Sequence, residues 1–277
     1  MRIHGHDIGV CSWSLQTKEA GELVGKIKEL GLAHVQLAMG KLTDEQLRAN
    51  VGEIRAAGIE ITAGMIGFAG EDYASIAIIR KTGGYLPDEL WPERQKESER
   101  VARLGKELGI QKISTHIGFV PPSSDPRYKV MVERVGQVAD AFGQEGVELL
   151  METGQEQAPE LLQFLNDLSR RNVCINFDPA NMILYGAGDP IEAIHTLGRH
   201  IGHVHVKDAT LSSQPAVTWG AEVPFGTGAV PHGAFLEALA EVKYGGPLVI
   251  EREAGQSRMA DVKVAIETLE RIGTEAL

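Results

Sequence analysis

Cysteine is nearly missing from this chain: 277 residues contain two, Cys11 and Cys174. They fall in separate strand-like segments, which argues against a disulfide and rules out a Cys-rich zinc site. Both read as small core residues of a protein in a reducing compartment. Long apolar runs are missing too. No stretch approaches the ~20 residues of a membrane span, and the opening MRIHGHDIGV has neither the basic nor the apolar region of a signal peptide. Positive charge is in deficit, with 27 Lys and Arg against 38 Asp and Glu and a net charge of −11. That balance argues against nonspecific binding to nucleic acid or to an anionic membrane. No Ser-, Pro- or Gly-rich linker divides the sequence. The expectation is a single cytoplasmic domain over residues 1–277.

What is present is enough apolar material for a large core, 43% of residues, arranged in eight short runs that alternate with amphipathic stretches. The runs are IGVCSW, HVQLA, EITAGMIG, KISTHIG, VELLMETG, VCINFD, HVHVKD and PLVIERE. Between them, segments such as DEQLRANVGEIRAAG and MADVKVAIETLERIG carry apolar residues at helical spacing, and several end in Gly, as a helix stop should. Eight strand and helix units in this order predict an α/β fold, a (β/α)8 barrel, whose active site would lie at the C-terminal ends of the strands.

Four consecutive runs in the second half each end in a residue that can bind a divalent cation: Glu152, Asp178, His205 and Glu251. Acids are rarely buried unless paired or bound to metal. One such acid at the end of an apolar run means little; a series of them points to a metal site. Period-two geometry puts His203, His205 and Lys207 on one face of their strand. His205, nearer the C-terminal end, is the expected ligand, and His203 would sit one layer lower in a supporting or core role. Three carboxylates and one imidazole make a hard, oxygen-rich set suited to Mn²⁺, Mg²⁺ or Co²⁺. Adjacent carbonyl and hydroxyl oxygens of a substrate could chelate such an ion while a carboxylate removes the proton alpha to the carbonyl.

METG, NFDPAN, HVHVKD, GTGAV and VIERE together resemble the sugar phosphate isomerase/epimerase superfamily, the xylose isomerase-like TIM barrels. The resemblance runs through nearly the whole chain. It implies one divalent ion, Mn²⁺ first with Mg²⁺, Co²⁺ or Zn²⁺ as substitutes, held by Glu152, Asp178, His205 and Glu251. It also implies acid/base roles for Glu152 and Glu251. Two departures separate the chain from the ketose epimerases: Asn181 stands where they commonly carry a His, and their Arg after the HxH strand is not evident.

The remaining candidates carry two readings each. His116 closes the fourth run, in substrate contact or in a local hydrogen bond. Trp13 forms a wall under a sugar or packs in the core, and Asn181 offers a substrate contact. Lys207 lies at the rim, touching substrate or solvent. Gln36 points to the mouth or away from it, and Glu253 shares the face of Glu251 or holds a neighbouring cation. The GTG at residues 226–228 reads as a tight turn or a phosphate cradle, and residues 69–92 as a lid or a subunit contact. The expected function is a metal-dependent isomerase or epimerase of a small polyhydroxy carbonyl compound, phosphorylated or not. The alternatives are an inosose-type dehydratase and a sugar-binding barrel without turnover. A homodimer is compatible with all three.

Overall fold

Residues 1–275 are described by a computed structural model, in which the eight apolar runs form one closed parallel barrel. The last two residues of the expected domain lie outside the described residues. The strands are β1 (His6–Cys11), β2 (His34–Ala38), β3 (Glu60–Ile66), β4 (Lys112–Thr115), β5 (Glu148–Glu152), β6 (Val173–Phe177), β7 (Ile201–Val206) and β8 (Leu248–Ile250). Closure comes from β1, which pairs in parallel with β8 through Ile8 and Leu248 and with β2 through Gly9 and His34. A two-residue strand, Arg2–Ile3, adds an antiparallel edge to β1. The (β/α)8 expectation is met.

Alternation along the strands creates two different cores. On β7, Val204 and Val206 face the surrounding helices and join the apolar core, which also buries Phe142, Phe164 and Phe235. His203 and His205 face the barrel axis, where they meet Gln36, Ser114 and Asn176, all fully buried. The lumen beneath the C-terminal mouth is therefore a polar layer, and every member of it must find a hydrogen bond.

Elements near the C-terminal mouth are absent from the sequence reading. The segment 69–92 contains a helix, Ile76–Thr82, whose N-terminus is capped by the Ser75 hydroxyl accepting from Ile78 N–H. A helix Pro179–Tyr185 follows β6 directly, and a hairpin of Asp208–Thr210 with Ala221–Val223 follows β7. The 69–92 segment is tied to the barrel. Arg94, 2% exposed, donates to the carbonyls of Gly84, Ala69 and Thr82, while the Glu71 carboxylate accepts from Phe68 and Gly84 N–H.

Gly84 is the tightest point of that attachment. It has φ +63°, and a Cβ there would lie 1.8 Å from the Ile117 carbonyl oxygen in the loop after β4. Gly58 has a similar φ of +78° but open space around it. Gly58→Ala should therefore cost only the left-handed strain, about 1–2 kcal/mol. Gly84→Ala should cost about 2–4 kcal/mol because backbone must also move. Urea denaturation of the two variants checks the difference, and equal losses would remove the close approach as its cause.

Candidate metal and substrate site

Four strand ends converge at the C-terminal mouth. Glu152 is the last residue of β5, Asp178 follows β6, His205 is the penultimate residue of β7 and Glu251 follows β8. All four are buried, and one potential ligand atom from each lies within 4.8 Å of the others. Octahedral ligands at ~2.1 Å from an ion are separated by roughly 3–4.2 Å, so the cluster needs little contraction to surround one.

His205 organises the group. Its Nδ1 lies 3.0 Å from Glu152 Oε1, 3.4 Å from Asp178 Oδ2 and 3.4 Å from Glu251 Oε2. On the other side of the ring, Nε2 lies 2.6 Å from Gln36 Oε1. Without a metal the carboxylates hold the ring protonated, so Nε2–H donates to Gln36 and Nδ1–H to Glu152. An ion bound among the carboxylates would take the place of the Nδ1 proton, and the Gln36 amide oxygen would keep the other proton on Nε2. Gln36 is itself oriented by donating from Nε2 to the Ser114 hydroxyl at 2.8 Å.

A second chain supports Glu152. His203 Nδ1–H donates to Asn176 Oδ1 at 2.5 Å, and the Asn176 Nδ2 donates to Glu152 Oε2. His203 is held neutral, since burial and then the charges of His205 and Lys112 push its pKa well below the ordinary value. It occupies the layer beneath His205 and supports the site without joining it. Burial alone would also discharge His205, but Glu152, with Cys11, Glu251 and Asp178, outweighs burial and holds its pKa well above the ordinary range.

Asp178 does two things. Its Oδ1 accepts from Ala180 and Asn181 N–H at 2.8 and 2.9 Å, capping helix Pro179–Tyr185. Its Oδ2 is buried and has no hydrogen-bond partner. His205 Nδ1 at 3.4 Å and the Lys207 ammonium at 3.7 Å face it at ion-pair distance, but a buried carboxylate oxygen without a hydrogen bond is under-satisfied. This unpartnered oxygen, aimed at the cluster, and the oxygen-rich donor set fit a hard divalent ion. A grouping of Cys11 with His205 and Glu251 fits worse. Burial pushes the Cys11 thiol up to about 12, and Cys11 meets His205 at Nε2, the nitrogen already committed to Gln36.

Above the cluster opens a cavity of ≈ 640 Å³. All four residues expected to contact substrate line it: Trp13, His116, Asn181 and Lys207. Trp13 Nε1–H donates to Glu251 Oε1 at 2.7 Å, so the indole fixes a carboxylate as well as forming a wall. His116 packs its ring edge to face with Tyr73 and has a buried, unpartnered Nδ1. Asn181 Nδ2 reaches Glu152 Oε1 at 3.4 Å.

Lys207 is not a solvated rim residue. It is 2% exposed, and its ammonium donates to Glu251 Oε2 at 2.7 Å, Glu253 Oε2 at 2.8 Å and Asn181 Oδ1 at 3.2 Å. Burial opposes its charge, but Glu251, Glu253 and Asp178 hold it well above the usual lysine value. Burial likewise opposes ionisation of Glu251, yet Lys207 and His205 hold that carboxyl well below the usual range. Glu253 is therefore a partner of Lys207 at the edge of the site.

Sequence reasoning missed the aromatic frame. Tyr73, Tyr185 and Trp219 line the cavity, and Trp219 Nε1–H donates to the Tyr73 carbonyl at 3.2 Å, joining the 69–92 segment to the β7 hairpin across the mouth. Tyr73 and Trp219 sit in irregular segments with no periodic signal, and Tyr185 ends a helix of seven residues, too short to show one. Glu156, in the loop after β5, was also missed. It is 7% exposed and accepts from Val120 N–H at 2.8 Å, and burial raises its pKa from 4.5 to about 8. The folded state therefore keeps a proton that the unfolded chain has lost, between pH ~4.5 and ~8, so stability falls as pH rises through that window. The slope should approach 1.4 kcal/mol per pH unit near its middle, ~1.4 being the value for one proton. Denaturation of wild type and Glu156→Gln from pH 5 to 8 checks this; a slope that survives the substitution assigns it to another group.

The family described as "Xylose isomerase-like TIM barrel" matches residues 24–272. This chain belongs to it. A xylose isomerase domain protein from Planctomyces limnophilus has the same fold, with 34% identity, TM-score 0.88 and coverage of 99% of this chain and 98% of that one. A xylose isomerase-like TIM barrel protein from Mycobacterium smegmatis, solved with magnesium, shares the fold at 17% identity and TM-score 0.73, covering 100% of both chains. D-psicose 3-epimerase from Clostridium cellulolyticum H10, solved with D-tagatose, does so at 18% identity and TM-score 0.68, covering 98% of this chain and 96% of that chain. Among curated proteins, YihM of Escherichia coli (strain K12), an uncharacterized protein, is 27% identical over 124 residues. That match spans 41% of this chain and 37% of YihM. No helix among the described residues is long and apolar enough to cross a membrane.

Proposed function

We infer that the protein is a metal-dependent isomerase or epimerase of a small polyhydroxy carbonyl compound, acting by proton transfer alpha to the carbonyl. The observation that carries this reading is the buried Glu152, Asp178, His205 and Glu251 cluster, whose Asp178 Oδ2 has no hydrogen bond and whose Glu251 lines a sugar-sized cavity. Those four residues would hold one divalent ion, with Mn²⁺ first and Mg²⁺, Co²⁺ or Zn²⁺ as substitutes. Bound there, the ion supplies electrostatic stabilisation of negative charge on substrate oxygens. The membership of the family supports the reading, as does its sharing a fold with an epimerase.

The chain's own residues divide the remaining work. Glu152 and Glu251 come from strands three places apart around the barrel and are the proton-transfer pair. Lys207 keeps Glu251 ionised, the form that can accept a proton, and Asn176 holds one oxygen of Glu152 so that the other faces the cluster. Trp13 orients Glu251 from the outside, while Asn181 and His116 present polar atoms to the cavity. Tyr73 and Trp219, joined across the mouth, restrict water. The reaction would take place in the cytoplasm, within one domain over residues 1–277.

The test is to reconstitute the protein with Mn²⁺ and screen ketoses, aldoses and inososes in deuterated water by NMR and mass spectrometry. A stereoisomer or an aldose–ketose isomer carrying solvent deuterium supports the reading. Loss of water identifies a dehydratase, and return of every ligand unchanged leaves a binding protein; either result overturns it.

A further inference from the structure

The interior of an α/β barrel is ordinarily packed with branched apolar side chains. Here a column of polar groups runs down it, from Glu152 at the C-terminal mouth to Thr62 on β3. Thr62 and His203 line a cavity of ≈ 350 Å³ whose wall includes His34, Glu60 and Lys112, the first residues of β2, β3 and β4; it lies at the opposite, N-terminal mouth. Three hydrogen bonds make the column. Asn176 is bonded to Glu152 Oε2, His203 Nδ1 lies 2.5 Å from Asn176 Oδ1, and His203 Nε2 lies 3.0 Å from the Thr62 hydroxyl. Glu152, Asn176 and His203 are buried, and Thr62 is half-buried.

The chemistry of its upper end gives the column one direction. A carboxylate only accepts, so Asn176 must turn Nδ2 toward Glu152; the reversed amide would set two acceptor oxygens against each other. Asn176 Oδ1 then faces His203, which must carry its proton on Nδ1. The neutral ring has a single N–H, so Nε2 is an acceptor in need of a donor. The Thr62 hydroxyl is that donor. Its alternative acceptor, the Val35 carbonyl, is farther away at 3.3 Å, and a hydroxyl has one proton to give. Each group therefore donates toward Glu152, and each bond polarises the next.

We propose that Thr62 is a positioning residue: from the far end of the barrel it fixes the His203 tautomer and, through Asn176, holds Oε2 of Glu152 so that Oε1 stays beside His205. Thr62 itself meets neither the carboxylate cluster nor the substrate cavity. The proposal rests on the isomerase/epimerase reading for the reaction that Glu152 serves, but not for the direction of the hydrogen bonds.

The first test needs neither metal nor substrate. ¹⁵N NMR of the imidazoles in the metal-free, full-length protein should find the His203 proton on Nδ1. A proton on Nε2 would mean that the ring donates to Thr62, and overturns the proposal. The second test sets two substitutions against each other. Thr62→Val keeps the shape and loses the hydroxyl, whereas Thr62→Ser loses the methyl and keeps the hydroxyl. Removing a direct hydrogen-bond partner of a metal ligand costs ~10- to 100-fold in affinity or activity. Acting at one remove, Thr62→Val should lower Mn²⁺ affinity, and alpha-proton exchange at saturating Mn²⁺, by about 3- to 10-fold, with Thr62→Ser within about twofold of wild type. In Asn176→Ala, where the column is cut, adding Thr62→Val should change Mn²⁺ affinity no further. Wild-type affinity in Thr62→Val, an equal loss in Thr62→Ser, or additive losses with Asn176→Ala each overturn the proposal. If no sugar is turned over, the isomerase reading fails, and the tautomer and the Mn²⁺ affinities still decide the role of Thr62.

Discussion

Replacing Glu152 or Glu251 with Gln should slow exchange of the substrate's alpha proton by about 10²- to 10⁴-fold, the usual contribution of a positioned general base. The argument is geometric. Glu152 has one oxygen tied to Asn176 and the other 3.0 Å from His205 Nδ1 and within 3.4 Å of Asn181 Nδ2, a residue that lines the cavity. Glu251 lines the cavity itself and is kept ionised by Lys207. A Gln preserves the shape and one acceptor but cannot take the proton. Both residues are also candidate ligands, so exchange must be measured at saturating Mn²⁺, with occupancy checked by metal analysis. Rates that fall far more than occupancy does assign the proton to the glutamate. If both metal-loaded variants exchanged the alpha proton at the wild-type rate, neither would be the base, and Lys207 or His116 would take its place as the candidate.

The barrel and its four strand ends were legible because each depends on a local pattern. Apolar runs of strand length between amphipathic stretches give the topology, and an acid or His at the end of a run is conspicuous because its burial is costly. What escaped the sequence depends on distant partners. Gln36 could not be given a face because HVQLA is too short, and it is the partners Ser114 and His205, on strands distant in sequence, that place its amide on the barrel axis. Lys207 reads as a rim lysine until the carboxylates of Glu251 and Glu253, more than forty residues away, neutralise it and allow its burial. The GTG of residues 226–228 left a tight turn and a phosphate cradle both open, because three residues cannot reveal that their N–H groups turn to Asp208. Helix Pro179–Tyr185 was readable in principle, since Asp178 at the N-cap and Pro179 at the first helical position form a start signal. It was hidden by treating NFDPAN only as the end of a strand. Tyr73 and Trp219 had no signal: one lies in an aperiodic segment, the other in a hairpin whose strands are three residues each.

Asp178→Asn should separate the two jobs of Asp178. The cap survives, because an Asn side-chain oxygen can accept from Ala180 and Asn181 N–H as Oδ1 does now. The second oxygen changes from a buried, unpartnered acceptor beside Glu152 and Glu251 into a neutral donor. Without metal the variant should be at least as stable as wild type, since one of three crowded carboxylates is gone along with its unmet hydrogen-bonding demand. With metal the order should reverse. Loss of an outer-shell partner costs ~10- to 100-fold in metal affinity, so loss of a ligand should cost about 100-fold or more. At an Mn²⁺ concentration 100 times the wild-type Kd, linkage stabilises wild type by ~2.7 kcal/mol, whereas a variant binding 100-fold more weakly gains ~0.4 kcal/mol. Thermal melts of both proteins with and without Mn²⁺ read this crossing directly, and circular dichroism confirms that the helix after β6 is retained. Equal stabilisation of the two proteins by Mn²⁺ would reduce Asp178 to a helix cap and move the metal, if there is one, away from this cluster.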